Sequence, residues 1–326
     1  MNLSFFKNIL NIIILLSIIA LTIISLVSYK FGKEFILELF SHFQLQYFLL
    51  SIILLFFLLS NRPSKFVLIA LIFTTINSVH IIPWHLEINH TINHKTTNLK
   101  LLTFNVHKDN KKYFQTIQFV KKEQPDLVAF IETTPEWHKK LELLGDTWPY
   151  ICGKYSKYAQ ELIVYSKQEL KDCKIEQFAA YEKLNISAKL TINKQTISLI
   201  VTHPQAPISE QFFAWRNQQL DSMAKYIKNL DKPIIVMGDL NITMWSPYYE
   251  KLISSTNLKN ARQGFGILPT WPTQNTYSLF PKFLAPFLSI PIDHYLISPN
   301  IQVVNLKTGP NIGSDHRPLV AELFIK

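Results

Sequence analysis

Six apolar runs in this chain end in residues able to handle a proton or a cation. They are Asn105 after "LLTF", Glu132 after "LVAFI", His203 after "LIVT", Asp239 with Asn241 in "GDLN", Asp293 in "PIDHYLIS", and the Asp315–His316 pair ahead of "PLVAELF". One Asp or Asn at such a place ordinarily makes a turn or caps a helix. Recurrence at six strand ends is harder to assign to turns, and strand ends on a rigid sheet are where loops carry chemistry. Glu132 with Asn105, and Asp239 with Asn241, offer hard oxygen donors of the kind that suit Mg²⁺ or Mn²⁺ rather than zinc. A strongly hydrated divalent ion held by one or two carboxylates works on phosphates. Two histidines then divide the proton transfers, each fixed in one tautomer by a neighbouring carboxylate. The set implies phosphodiester hydrolysis, with water attacking phosphorus in line with the leaving oxygen.

Such residues need a rigid frame. Strand-like runs cover 100–106, 126–132, 161–166, 186–192, 195–203, 232–241, 291–298 and 319–325. Between them, 110–124 carries a helical stripe at Tyr113, Phe114, Ile117 and Val120, stopped by Pro125. Pro135 opens a second helix over 135–144, and 208–230 reads as a long third one. No repeat or low-complexity linker interrupts this alternation, so 100–326 reads as one α/β domain of ordinary size.

The first 84 residues differ. Residues 9–29, 43–60 and 66–84 are long uncharged apolar stretches, and a bilayer crossing needs about 20 such residues. Three in succession read as a retained anchor rather than a signal peptide. Lys7 and the Arg62/Lys65 turn point to the cytoplasm by the positive-inside rule, although Lys30 and Lys33 oppose this, offset by Glu34 and Glu38. The expectation is a multi-pass inner-membrane protein with its domain on the non-cytoplasmic side. Spans without charge offer no transport pathway. Residues 85–99, with His85, His90 and His94, read as a solvated linker.

The net charge of +10 fits an anionic partner, and fits a plain lysine-rich surface equally well. No obligate protein partner is evident. Cys152 and Cys173 exclude a thiolate zinc cluster and a disulfide-rich scaffold. Two half-buried free thiols are expected, with one bridge as the alternative in an oxidising compartment.

"TFNV", "PDLVAFIET", "VTHP", "GDLN", "IDHYLIS" and "GSDHRPL" occur in that order. Together they resemble the endonuclease/exonuclease/phosphatase superfamily, which includes DNase I, exonuclease III and neutral sphingomyelinases. "GDLNITMWSPYY" and "TWPT" with "IPIDHYLIS" are especially similar to its bacterial, membrane-anchored members. The resemblance implies a four-layer α/β sandwich, two packed mixed β-sheets flanked by helices, here preceded by about three transmembrane helices.

It also implies roles. Glu132 would be the main metal ligand, with Asn105 on the metal or its water. Asp239 would orient or deprotonate the attacking water, or hold a second metal. Asn241 would bind a phosphate oxygen. His203 would donate to the phosphate or leaving group, and His316 would be the second acid/base, oriented by Asp293, with Asp315 near the metal. Glu161 is the candidate partner of His203, although Gln160 before it and Ser166–Lys167 after it depart from the usual pattern.

The implied substrate is nucleic acid, or a phospholipid or small phosphoester. The competing expectation is an inactive member kept as an envelope binding or scaffold protein; the complete set of catalytic residue types argues against it. Trp271 reads as packing, and Trp245 as either packing or a stacking platform. The apolar segment 279–291 would either dip into the membrane surface or cover one end of the sandwich.

Overall fold

The computed structural model describes residues 3–61, 64–86, 97–153, 161–178, 183–276 and 281–325. The chain opens with four helices: α1 (Leu3–Phe31), α2 (Phe35–Ser41), α3 (Gln44–Asn61) and α4 (Ser64–Ser78). Ile14, Leu15, Ile18, Leu58 and Ala70 pack α1, α3 and α4 together. Leu16, Ile23, Ile53, Phe56, Leu68 and Ile72 point outward from the same helices.

Two of these helices, over Ser4–Phe31 and Gln44–Asn61, are long and apolar enough to cross a membrane. The expected third stretch, 66–84, is not one helix. α4 stops at Ser78, and the chain tightens through Val79 N–H to Ile76 O and Ile81 N–H to Ser78 O into a turn at Ile82–His85. Pro83 and the residue before it resist helical continuation there. That turn is docked, with the Trp84 carbonyl accepting from Gly264 N–H and Gly266 N–H. His85, expected in a solvated linker, lies against Gly266. His90 and His94 fall outside the described residues.

The remaining elements are, in chain order, β1 (Leu99–Asn105), α5 (Tyr113–Glu123), β2 (Leu127–Thr133), α6 (Pro135–Leu141), β3 (Tyr150–Gly153), β4 (Glu161–Ser166), β5 (Leu170–Glu176), β6 (Asn185–Ile192), β7 (Gln195–Thr202), α7 (Glu210–Ile227), β8 (Ile234–Asp239), α8 (Pro247–Thr256), β9 (Lys259–Asn260), α9 (Ala285–Leu288), β10 (Asp293–Ile297), β11 (Gln302–Thr308) and β12 (Leu319–Phe324).

They form two six-stranded sheets, ordered β11-β12-β1-β2-β4-β3 and β5-β6-β7-β8-β10-β9. Each sheet has one parallel pair, β1–β2 and β7–β8, and its other pairs are antiparallel. Each parallel pair is bridged by one helix, α5 or α7, as a parallel connection requires.

Strand alternation builds the layers. Leu99 and Leu101, Leu127 and Ala129, Leu199 and Val201, Ile235 and Met237, and Tyr295 and Ile297 fill the space between the sheets. Their neighbours Leu102, Phe104, Val128 and Phe130 meet Ile117, Val120 and Trp137 of α5 and α6. On the far face, Ile200, Ile234 and Val236 meet Leu220 and Met223 of α7, and Ile81, Tyr29 and Trp84 of the N-terminal region join that cluster. The expectation of two free thiols fails. Cys152 of β3 and Cys173 of β5 form a disulfide, with Cα atoms 6.0 Å apart, that ties the edge of one sheet to the edge of the other.

Candidate active site

The parallel pairs place the site. β1, β2, β7 and β8 all deliver their C-terminal ends to one edge of the sandwich, and β10 and β12, running antiparallel, begin there. Asn105 is the last residue of β1, His203 follows β7, Asp239 ends β8 and Asp293 starts β10. Each continues the alternating row that fills the space between the sheets. Apolar burial along the strand therefore aims the final polar side chain into the same space.

Glu132 is brought there by another device. The β2–β4 register slips between Phe130 and Thr133, and Glu132 takes a left-handed conformation with φ of 59°. Such a bulge re-aims a side chain, and Glu132 meets Asn105. Gly238 has φ of +143°, and a Cβ on it would lie 2.0 Å from the Thr202 carbonyl oxygen. Only glycine lets β8 approach β7 this closely beside Asp239.

Asn105 sits at the centre. Its Nδ2 donates to Glu132 Oε1 at 3.1 Å and to Asp239 Oδ2 at 3.0 Å, while its Oδ1 accepts from His107 N–H at 3.1 Å. His203 Nε2 lies 3.6 Å from both Glu132 Oε1 and Asp239 Oδ2. His316 Nε2 lies 3.5 Å from the same Asp239 oxygen, and its Nδ1 lies 2.9 Å from Asp293 Oδ2. Asp239, Asp293 and His316 form a buried group able to hold a metal ion. Because Asp293 is committed to His316 Nδ1, the His316–Asp293 pair has the geometry of an oriented acid/base, and Asp239 with Glu132 is the better pair of metal donors.

The electrostatics separate the two histidines. Burial, then the positive charges of Lys183 and His316, hold His203 well below the usual histidine range. Burial also pulls at His316, but Asp293, Asp239 and Asp315 outweigh it and raise it to about 10. Burial and the facing Asp293 push the Asp239 carboxyl up, against the opposing pull of His316. One histidine is thus neutral and the other charged at neutral pH, which is how a site divides acid and base roles.

The other expected residues are near but differently engaged. Asn241, with φ of 50°, donates its backbone N–H to Asp239 Oδ1 at 2.9 Å and its Nδ2 to the Pro204 carbonyl at 3.0 Å. Asp315 turns to Trp271, accepting from its Nε1 at 3.1 Å. Glu161 begins β4 opposite Thr133, and its side chain lies outside the described residues.

Three further residues adjoin the site: Lys183 carries no sequence signal, while Ser314 lies inside "GSDHRPL" and Trp271 inside "TWPT", neither with a part in the site expected from its motif. Lys183, just ahead of β6, places Nζ 3.4 Å from His203 Nδ1. Ser314 donates to the Asn105 carbonyl at 2.6 Å and accepts from His316 N–H at 3.0 Å, fixing the last loop to β1. Trp271, expected as packing, stands 6.4 Å from the His316 ring and is partly exposed. Trp245 is the packing residue, buried with its Nε1 on the His80 carbonyl.

A model of the Endonuclease/Exonuclease/phosphatase family matches residues 102–316. No curated protein sequence matches the chain. Among solved structures, an endonuclease/exonuclease/phosphatase from Bacteroides vulgatus superposes with a TM-score of 0.57 at 19% identity, covering 71% of this chain and 100% of that one. An AP endonuclease from Archaeoglobus fulgidus gives 0.55 at 18% identity, covering 70% and 100%. D. rerio TDP2 complexed with single strand DNA product gives 0.57 at 15% identity, covering 69% and 98%. At these identities the likeness is one of fold.

Proposed function

The chain belongs to the endonuclease/exonuclease/phosphatase family, and from that premise we propose that it is a membrane-anchored, divalent-metal-dependent phosphodiesterase. The observation that carries this reading is the convergence of His203 Nε2 and His316 Nε2 on one oxygen of Asp239, with Glu132 joined through Asn105.

The donor set fits a hard divalent ion. Glu132 and Asp239 supply carboxylate oxygens, and Asp293 leaves Oδ1 buried without a hydrogen-bond partner among the described residues. Carboxylates packed this closely call for more positive charge than His316 brings. Mg²⁺, or Mn²⁺, would take Glu132 and Asp239. Asn105 would join as a ligand only with its amide turned over, since Nδ2 now faces both carboxylates. Asp315, held by Trp271, would act on His316 through its charge. When bound, the ion supplies positive charge to a phosphoryl oxygen and acidifies a water.

The side chains do the rest. Asp239, placed beside both histidines, orients the attacking water and accepts its proton. His203 accepts from Lys183 at Nδ1, so Nε2 carries the proton and donates to the phosphoryl or leaving oxygen. His316, charged and fixed by Asp293, is the acid for the leaving oxygen. Asn241 binds a non-bridging oxygen once its amide leaves Pro204. Glu161 remains a proposed neighbour of His203.

The anchor comprises α1 and α3, with α4 as a shorter third crossing. The outward apolar faces of these helices favour lipid surroundings over water. Residues 100–326 then lie on the non-cytoplasmic side of the inner membrane, a placement that the Cys152–Cys173 disulfide supports, because such bonds persist in oxidising compartments.

The substrate is nucleic acid, or a phospholipid or small phosphoester. One observation favours lipid: Phe283 just ahead of α9 and Phe287 within it are exposed, and Gln46 of α3 donates to the Phe287 and Ser289 carbonyls, so this apolar knob sits at the root of a proposed span. Incubating the full chain with Mg²⁺ on supercoiled plasmid, single-stranded DNA, phospholipid vesicles and a chromogenic phosphodiester would decide. Turnover on one of them identifies the substrate class, and turnover on none by folded, metal-bound protein supports the inactive scaffold instead.

A further inference from the structure

Glu38 of α2 is fully buried, and so is its ion-pair partner Arg216 of α7. Arg216 Nη2 donates to Glu38 Oε1 at 2.9 Å, its Nε to Asn217 Oδ1 at 2.8 Å, and its Nη1 to the Asn241 carbonyl at 2.8 Å. The guanidinium lies against Phe213 and Tyr248, with Cζ 5.2 and 5.9 Å from their ring centres. Ser246 Oγ donates to the same Glu38 oxygen at 2.7 Å. His42, one turn along from Glu38, lies 3.0 Å from Glu38 Oε2 through Nε2 and 3.0 Å from Thr243 Oγ1 through Nδ1. The segment after β8 is therefore gripped at Asn241, Thr243 and Ser246, in each case by α2, its C-terminal flank or Arg216.

A buried ion pair is a poor device for stability alone, because apolar residues of similar volume hold an interface at least as well. The guanidinium adds direction. Its donor is aimed at the carbonyl of a residue in a left-handed conformation whose own N–H fixes Asp239 Oδ1. We propose that Glu38, through Arg216, positions the Asp239–Asn241 turn, so that the N-terminal helical region is part of the machinery of the site as well as its anchor. Glu38 and Arg216 are positioning residues, since neither touches the reacting atoms. This inference rests on the phosphodiesterase reading for its effect on turnover, and on the structure alone for its effect on the loop.

The test uses the full chain in detergent or nanodiscs, comparing wild type with the double variant Glu38→Gln/Arg216→Met, which removes both charges together. The expected result is a folded protein whose kcat falls about a hundredfold, the scale on which a small misplacement at a reacting centre acts, while KM holds. Backbone amides of residues 240–246 should exchange with deuterium about tenfold faster than in wild type, since a locally loosened segment opens more often. Arg216→Lys should not rescue either readout, because one ammonium cannot span Glu38 and the Asn241 carbonyl as a planar fork does. A folded double variant with wild-type kcat and wild-type exchange in 240–246 overturns the inference. If no substrate is turned over by either protein, faster exchange still supports the positioning role and the failure belongs to the phosphodiesterase reading; unchanged exchange rejects the role outright. Should the double variant not fold, Glu38→Gln alone, which keeps a hydrogen-bonding side chain beside Arg216, carries the same exchange test with the same two outcomes.

Discussion

Asp239 and Asp293 face each other as register partners on antiparallel β8 and β10, and one histidine, His316, lies against both. Two buried carboxylates on adjacent strands repel, and the charged imidazole relieves that repulsion while Asp293 fixes its orientation through Nδ1. Asp293→Asn would keep the shape but remove the carboxylate charge that keeps His316 protonated and oriented. It is expected to lower kcat by about a hundredfold or more, the usual span for a misdirected acid/base, with little change in KM. Steady-state kinetics on the best substrate check it, and a parallel loss in His316→Ala that is not additive would place both residues in one unit.

Metal binding should stabilise the protein through Glu132 and Asp239. At a hundred times its dissociation constant a ligand adds about 2.7 kcal/mol to the folded state. Mg²⁺ or Mn²⁺ should therefore raise the melting temperature of wild type by several degrees, and chelator should reverse the shift. In Glu132→Gln and Asp239→Asn the shift should shrink or vanish. Differential scanning fluorimetry with graded metal measures it without reference to turnover.

The Glu38 carboxyl gives a pH signature. Burial alone would raise it, but His42 and Arg216 beside it hold it at about 2 against an ordinary value of 4.5. A depressed acid contributes stability that is present above the ordinary value and is lost as pH falls through the folded value. The contribution, on the order of 3 kcal/mol, should therefore disappear between about pH 4.5 and pH 2. Urea midpoints for Glu38→Gln should fall less steeply across that window than those of wild type.

The Cys152–Cys173 bridge closes one side of the sandwich across 21 residues of chain. Cys173→Ser is expected to cost about 3 kcal/mol, the scale for a loop of this length. Reduction with dithiothreitol should reproduce the loss in wild type and leave the variant unaffected. Thermal unfolding with and without reductant reads both.

The strands that the sequence does not announce are β3, β5, β9 and β11, which are the four sheet edges. Central strands are buried on both faces and read as unbroken apolar runs. An edge strand such as β5, "LKDCKIE", is mostly exposed and looks like a loop. The site follows the same logic. Asn105, His203, Asp239 and Asp293 are legible because each terminates a central apolar strand. Lys183 belongs to a loop whose path depends on tertiary structure, so no local pattern marks it, and Ser314, though inside "GSDHRPL", shows its bond to the Asn105 carbonyl only in the fold. Glu38 lies in an apolar stretch between two proposed spans, where an acid reads as a charge flanking the membrane, and only the fold brings Arg216 to it across 178 residues of sequence. The sequence leaves the Cys152–Cys173 bridge as an alternative to two free thiols, because β3 and β5 belong to different sheets and only the fold brings them together.

The most direct test of the account compares wild type with His316→Ala, both as full chains, on a chromogenic phosphodiester with excess Mg²⁺ and again with chelator. The account predicts release of product by wild type with Mg²⁺, none with chelator, and a loss of at least about a hundredfold in His316→Ala with folding intact by circular dichroism. Cleavage that persists in the chelator, or that His316→Ala leaves unchanged, would contradict it.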